Sequence, residues 1–108
     1  MLQFTYHTDP GHGWVEVSKE FAKELGIEDK ISSYSYKNAY YYFLEEDCDA
    51  GLLIKALKES GTDYQLDEKH VYNDHWIRNL NRASWLNIKF FKFKSPSNRG
   101  FFLPQYVV

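Results

Sequence analysis

Residues 40–60 read Tyr-Tyr-Tyr-Phe-Leu-Glu-Glu-Asp-Cys-Asp-Ala-Gly-Leu-Leu-Ile-Lys-Ala-Leu-Lys-Glu-Ser. The period of the pattern changes inside this stretch. Tyr40 to Leu44 is aromatic and β-favouring, and reads as a strand. Leu52, Leu53, Ala56 and Leu57 then recur at helical spacing, which predicts a helix over about 50–60, ended by Gly61. Asp47 or Asp49 stands where an N-cap is needed. A strand that passes through one short turn into an amphipathic helix requires a layer of helix on sheet.

The same reading extends upstream. Ile31 to Tyr36 is predicted as a strand that returns through Lys37-Asn38-Ala39 to Tyr40–Leu44, as a hairpin. Leu2 to His7 alternates apolar and polar, Asp9 to Gly13 is a turn cluster, and Trp14 to Val17 is a second short strand. Ser18 caps a helix over Lys19–Leu25 that stops at Gly26. Downstream, Asp63 to Tyr72 holds a strand. Residues 73–83 are ambiguous, with Trp76, Ile77 and Leu80 at helical spacing. Leu86 to Lys94 is rich in β-favouring residues, 95–100 is a loop, and Pro104 confines Phe101–Val108 to a sheet edge.

The order ββαββαβ predicts an α+β fold: a mainly antiparallel sheet carrying two helices, with a C-terminal β-hairpin-like extension. Trp14, Phe21, Leu25, Leu44, Leu53 and Leu57 are the expected core. The 108 residues suit a single domain, 1–108, with a main segment over residues 1–83 and an extension over residues 84–108. The extension carries seven aromatic rings with Lys89, Lys92, Lys94 and Arg99, and is expected to form or border a partner surface.

Composition excludes several classes. Apolar residues are 44% and charged residues 26%, which is globular and not disordered. No apolar run approaches the ~20 residues of a membrane span, and the first residues lack the basic and apolar regions of a secretory leader. One cysteine rules out an internal disulfide and fits a reducing compartment, so the expected location is cytoplasmic, with no membrane partner.

Two features point to recognition. Twenty residues are aromatic, more than a core of this size readily holds, so some rings should meet solvent or a partner. Charge is also divided: residues 1–54 hold ten acids against four lysines, and residues 55–108 five acids against nine Lys and Arg. Such a chain can offer one acidic and one basic face.

Each site candidate has an ordinary alternative. The run Glu45-Glu46-Asp47-Cys48-Asp49 has the acidity for a cation or for acid–base work, yet its place before a helix favours capping. His7, His12, His70 and His75 lack the spacing of a metal motif; a composite of His7, His12 and the acidic run is the one geometric option. Cys48 beside so many carboxylates reads as a buried structural thiol. The glycines of Asp9–Trp14 read as a tight turn anchored by Trp14, not as a phosphate cradle. Among Tyr34, Tyr36, Tyr40, Tyr41 and Tyr42, alternation places Tyr34 and Tyr36 on one face and sends one set of rings outward. From Arg78 to Arg99, cations interleave with Phe90, Phe91 and Phe93, the pattern of a lysine-guarded sheet edge or of a single-strand nucleic-acid platform.

The stretches His12-Gly13-Trp14-Val15-Glu16-Val17, Leu25-Gly26-Ile27, Ile31-Ser32-Ser33-Tyr34-Ser35-Tyr36 and Tyr42–Ala50 together resemble a family of small proteins of bacteriophages, plasmids and bacterial genomes. The likeness spans roughly residues 4–60, with an echo at Ile77-Arg78-Asn79. No activity comes with it. It implies a mobile-element context, in which small proteins commonly act by binding a host system.

The sequence is thus read as a small non-enzymatic phage or mobile-element protein that binds and inhibits or modulates a host macromolecule. The expected partner is a host or element-encoded protein or ribonucleoprotein, with a second copy of the chain as another candidate. Its contact residues are expected among Tyr34, Tyr36, Tyr40, Arg78, Arg82, Lys89, Lys92, Lys94 and Arg99. No catalytic residue, metal or cofactor is assigned. The alternative is a nucleic-acid-binding regulator that uses the basic-aromatic half. A hydrolase built on His12 and Glu45–Asp49 lacks a full set of roles.

Overall fold

A computed structural model describes residues 1–84. The expected C-terminal hairpin, with Lys89, Lys92, Lys94 and Arg99, lies outside the described residues. Six strands, β1 (Leu2–Thr8), β2 (Gly13–Ser18), β3 (Tyr36–Lys37), β4 (Tyr41–Glu45), β5 (Tyr64–His70) and β6 (Asn81–Arg82), form one sheet in the order β5-β1-β2-β4-β3-β6. All neighbours are antiparallel except β1 and β5, which run parallel from Leu2↔Tyr64 to Thr8↔His70. Two helices, α1 (Lys19–Glu24) and α2 (Ala50–Glu59), complete the expected α+β fold.

Local chemistry sets the helix ends. Ser18 Oγ accepts from Phe21 N–H at 3.0 Å and caps α1. Gly26 and Gly61 follow the two helices at φ 74° and 69°, a conformation that costs a glycine little.

Strand register sorts the side chains onto two faces. Tyr6, Val15 and Leu44 lie in one cross-strand row, and Val17 and Tyr42 in the next alternating one. These pack with Ala22, Ile27, Ile31, Leu53 and Leu57 into the main core beneath the helices. Trp14, Leu44, Leu53 and Leu57 are buried as expected. Phe21 and Leu25 sit at the margin instead, and Ala22 takes the centre of α1. Phe21 stacks on Phe4 at 6.1 Å, and both rings are partly buried against the core. Leu53→Ala removes a fully buried side chain and should lower stability by about 2–5 kcal/mol, read as a lower denaturation midpoint at unchanged slope.

The opposite face carries a second, smaller core that sequence periodicity did not suggest. Trp14, Tyr36 and Phe43 point there, and a 3₁₀ turn over Trp76–Asn79 covers them with Ile77. The ambiguous residues 73–83 thus form a lid segment followed by an edge strand. His75 N-caps the turn, its Nδ1 accepting from Ile77 N–H at 3.1 Å.

Ile31–Tyr36 is not a strand, and only Tyr36–Lys37 joins the sheet. The cause is Asp49. This residue occupies the N-cap position of α2 but makes no cap hydrogen bond. Its Oδ2 instead accepts from Ser32 N–H at 3.1 Å, from Ser32 Oγ at 2.8 Å and from Ser35 Oγ. Ser35 Oγ in turn accepts from Glu45 N–H at 3.0 Å. Side-chain capture of this kind gives the backbone an alternative to a ladder. The expected capping role of Asp47 and Asp49 is therefore corrected: Asp49 ties loop 32–35 to the start of α2, and Asp47 is exposed. Asp49→Ala should cost about 1–3 kcal/mol by orphaning buried donors. Asp49→Asn should recover only some of that, because a neutral amide oxygen makes weaker bonds than a charged carboxylate and the amide NH2 is a donor without use there; chemical denaturation of both variants checks the order.

Candidate functional site

One end of the sheet gathers most of the polar chemistry. The β1–β2 turn and the β4–α2 turn meet there, and Asp9 organises the first of them. Its carboxylate is wholly buried and accepts five hydrogen bonds: from Gly11 N–H, His12 N–H, His75 N–H, Arg78 Nε and Arg78 Nη2, at 2.7–3.0 Å. The Arg78 guanidinium, ahead of these backbone donors, holds the Asp9 carboxyl far below the usual carboxylate range. Asp9 thus fixes both the turn that presents His12 and the segment that covers Trp14.

Glu45 organises the second turn. It is buried, and its Oε1 accepts from Asp47 N–H at 2.7 Å and Cys48 N–H at 2.9 Å. Its Oε2 lies 3.2 Å from His12 Nδ1. Glu46 is reached from the other face by the Tyr6 hydroxyl, which donates to Oε1. That hydroxyl crosses Gly13, where a Cβ would fall 2.7 Å from the Tyr6 ring, so a larger residue would have to push the ring aside from Glu46. His12, Glu45 and Glu46 donor atoms lie within 4.8 Å of one another. The composite of His7, His12 and the acidic run is therefore half formed: His12 arrives and His7 does not. His7 Nε2 pairs with Glu16 Oε1 at 2.8 Å on the sheet face.

Cys48 is exposed, not buried as expected, because the turn held by Glu45 turns it outward. Desolvation at the sulfur, the hydrogen bond with Glu45 and the nearby carboxylates push its thiol up to about 11. At neutral pH it is therefore protonated and a poor nucleophile.

The second feature is aromatic. On the face away from the helices, Trp76 stands 51% exposed, and its ring is held at 5.5 Å from Phe43, 5.7 Å from His7 and 5.0 Å from His75. Tyr41, 38% exposed, packs on the same Phe43 at 6.5 Å. His75 is buried beneath, and burial, followed by the neighbouring His7, lowers its pKa from the ordinary 6.5. With Nδ1 accepting from Ile77, the neutral ring carries its proton on Nε2.

The expected contact residues do not form one patch. Tyr34 and Tyr40 are exposed, in separate turns. Tyr36 is buried, a correction: the turn at 32–35 breaks the alternation that placed it beside Tyr34. Arg78 is also corrected, since its charge is spent on Asp9 and its guanidinium lies 5.2 Å over the Trp14 ring. Arg82 is exposed, donates to Ser33 O and lies 4.6 Å over the Tyr36 ring. Trp76 and Tyr41 were missed as surface anchors. For Tyr41 the signal was its place in the tyrosine cluster; for Trp76 it was only a tryptophan in a stretch without clear period, beside the buried Ile77.

No protein-family model, no curated protein and no solved structure matches the chain. No described helix is long and apolar enough to cross a membrane.

Proposed function

We propose that the protein is a non-enzymatic binding protein of a phage or mobile element, acting by occupying a host macromolecule, and that the partner is a protein. The observation that supports this most is Trp76. A half-exposed indole clamped by Phe43, His7 and His75 loses little freedom on binding, and such aromatic anchors dominate interface energetics. Tyr41 extends the apolar area, and Glu16, half-buried beside His7, gives it an acidic border.

Charge weighs against nucleic acid as the partner of this face. Residues 1–84 hold fifteen acids against nine Lys and Arg, a net charge of −6, and Arg78 is already neutralised by Asp9. Phosphate binding needs surplus cations. The basic residues beyond 84 keep that alternative as an outcome of the test.

The test is capture from bacterial lysate by the tagged full chain, in nuclease-treated and untreated arms. The reading expects a stoichiometric protein that survives nuclease, is lost with Trp76→Ala and Tyr41→Ala, and is retained with Tyr72→Ala, which removes a more exposed ring outside the Phe43 cluster. Capture abolished by nuclease transfers the assignment to nucleic acid. Capture unaffected by Trp76→Ala removes this surface from the reading.

A further inference from the structure

We propose that His12, Glu45 and Glu46 hold one divalent transition-metal ion of the zinc class. This departs from the sequence expectation of no metal and is independent of the Trp76 surface.

Donor spacing is the first support. Bonds of about 2.0–2.2 Å from zinc to imidazole nitrogen and carboxylate oxygen place neighbouring donors about 3.0–3.5 Å apart. His12 Nδ1 and Glu45 Oε2 already stand at 3.2 Å. The Glu46 carboxylate lies within 4.8 Å of both, so a side-chain adjustment of about 1–1.5 Å completes a three-donor face that leaves further positions to water. A mixed imidazole–carboxylate set suits zinc or manganese, whereas calcium takes six to eight oxygens.

Each donor also has its own holder, as metal ligands usually do. The Asp9 turn fixes the His12 backbone through Asp9 Oδ1 at 3.0 Å and Asp9 N–H at 2.9 Å. The amides of Asp47 and Cys48 occupy Glu45 Oε1 and leave Oε2 toward His12. Tyr6, passing over Gly13, holds Glu46.

Charge balance is a separate argument. The Glu45 side chain is only 9% exposed, and Glu46 and Asp47 follow it directly. Among the described residues no lysine or arginine pairs with any of the three; the sole basic partner is His12, half exposed and charged only when protonated. The amides of Asp47 and Cys48 serve one oxygen of Glu45, and a divalent ion between these groups would supply the full countercharge that the adjacent carboxylates lack. Beyond His75 the sequence contains no Asp, Glu, His or Cys side chain, so binding can be attributed among the described residues.

The test is calorimetric titration of the full chain with zinc, repeated with calcium, with thermal unfolding to show that each variant is folded. The expected result is one zinc per chain and little calcium uptake. His12→Ala and Glu46→Gln should each weaken zinc by at least about a hundredfold, Tyr6→Phe by about tenfold through lost orientation of Glu46, and His70→Ala not at all. The proposal is overturned by the absence of saturable zinc binding below about 1 mM, by equal affinity for calcium, or by binding that His12→Ala and Glu46→Gln leave intact.

Discussion

Replacing Asp9 by alanine should destabilise the protein by up to about 3–5 kcal/mol, the cost of removing one partner from a buried ion pair, since the Asp9 side chain is wholly buried while Arg78 keeps 30% exposure. The substitution leaves the Arg78 guanidinium without its carboxylate and strips acceptors from the amides of Gly11, His12 and His75. Those amides belong to two distant segments, His75 standing 66 residues beyond Asp9, so the β1–β2 turn and the cover over Trp14 should loosen together. Denaturant unfolding measures the loss. A cost below about 1 kcal/mol would falsify the view that Asp9 is the tie between them. Pairing Asp9→Ala with Arg78→Met should recover some of the loss, because the double variant buries no unpaired charge. The pH dependence has a definite sign. The Asp9 carboxyl is depressed in the folded state, so the unfolded chain takes up its proton first as pH falls. Its contribution is complete above the ordinary value near 3.8 and is lost only as pH drops toward the far lower folded value. The difference in stability between the native chain and Asp9→Ala should therefore hold from neutral pH down to about 4 and shrink in stronger acid.

What the sequence made legible follows from how local each signal is. Ser18 and Gly26 bound α1, and the leucines of 52–57 define α2, because caps and 3.6-residue stripes act within one or two turns. Asp49 misled for the same reason: it stands at an N-cap position, but Ser32 and Ser35, far upstream, compete successfully for its carboxylate. The second core was hidden because its cover is a four-residue 3₁₀ turn, too short to show a period. Asp9 carried a plausible turn role in sequence, and nothing local distinguishes a turn aspartate from one that also holds an arginine 69 residues later. His12 and Glu45 stand 33 positions apart in the chain, and only the β1–β2–β4 register brings them together.

Trp14→Ala should cost about 3–5 kcal/mol, comparable to the Asp9 substitution but with a different signature. Trp14 is 2% exposed and is the largest ring of the second core. It touches Tyr36 at 6.2 Å and His75 at 5.9 Å, and Arg78 lies over its face. Its loss leaves a cavity under the 3₁₀ turn that a two-residue edge strand and four residues of cover can only partly close. The damage should concentrate on that face, so hydrogen exchange at Ile77–Leu80 should rise more than at Leu53–Leu57. Trp14→Phe separates two contributions to the loss. Trp14 Nε1 is buried and has no hydrogen-bond partner among the described residues, which carries a desolvation penalty. Phenylalanine removes that orphan donor while keeping most of the apolar contact, so Trp14→Phe should cost much less than the ~3 kcal/mol expected at the low end for alanine. A phenylalanine variant as unstable as the alanine one would mean that indole volume alone decides, with no offset from the unmet N–H. The functional consequence follows from position. Trp14 supports His75, and His75 supports Trp76, so, on the proposed binding role of the Trp76 surface, Trp14→Ala should weaken partner capture while Trp14→Phe should preserve it.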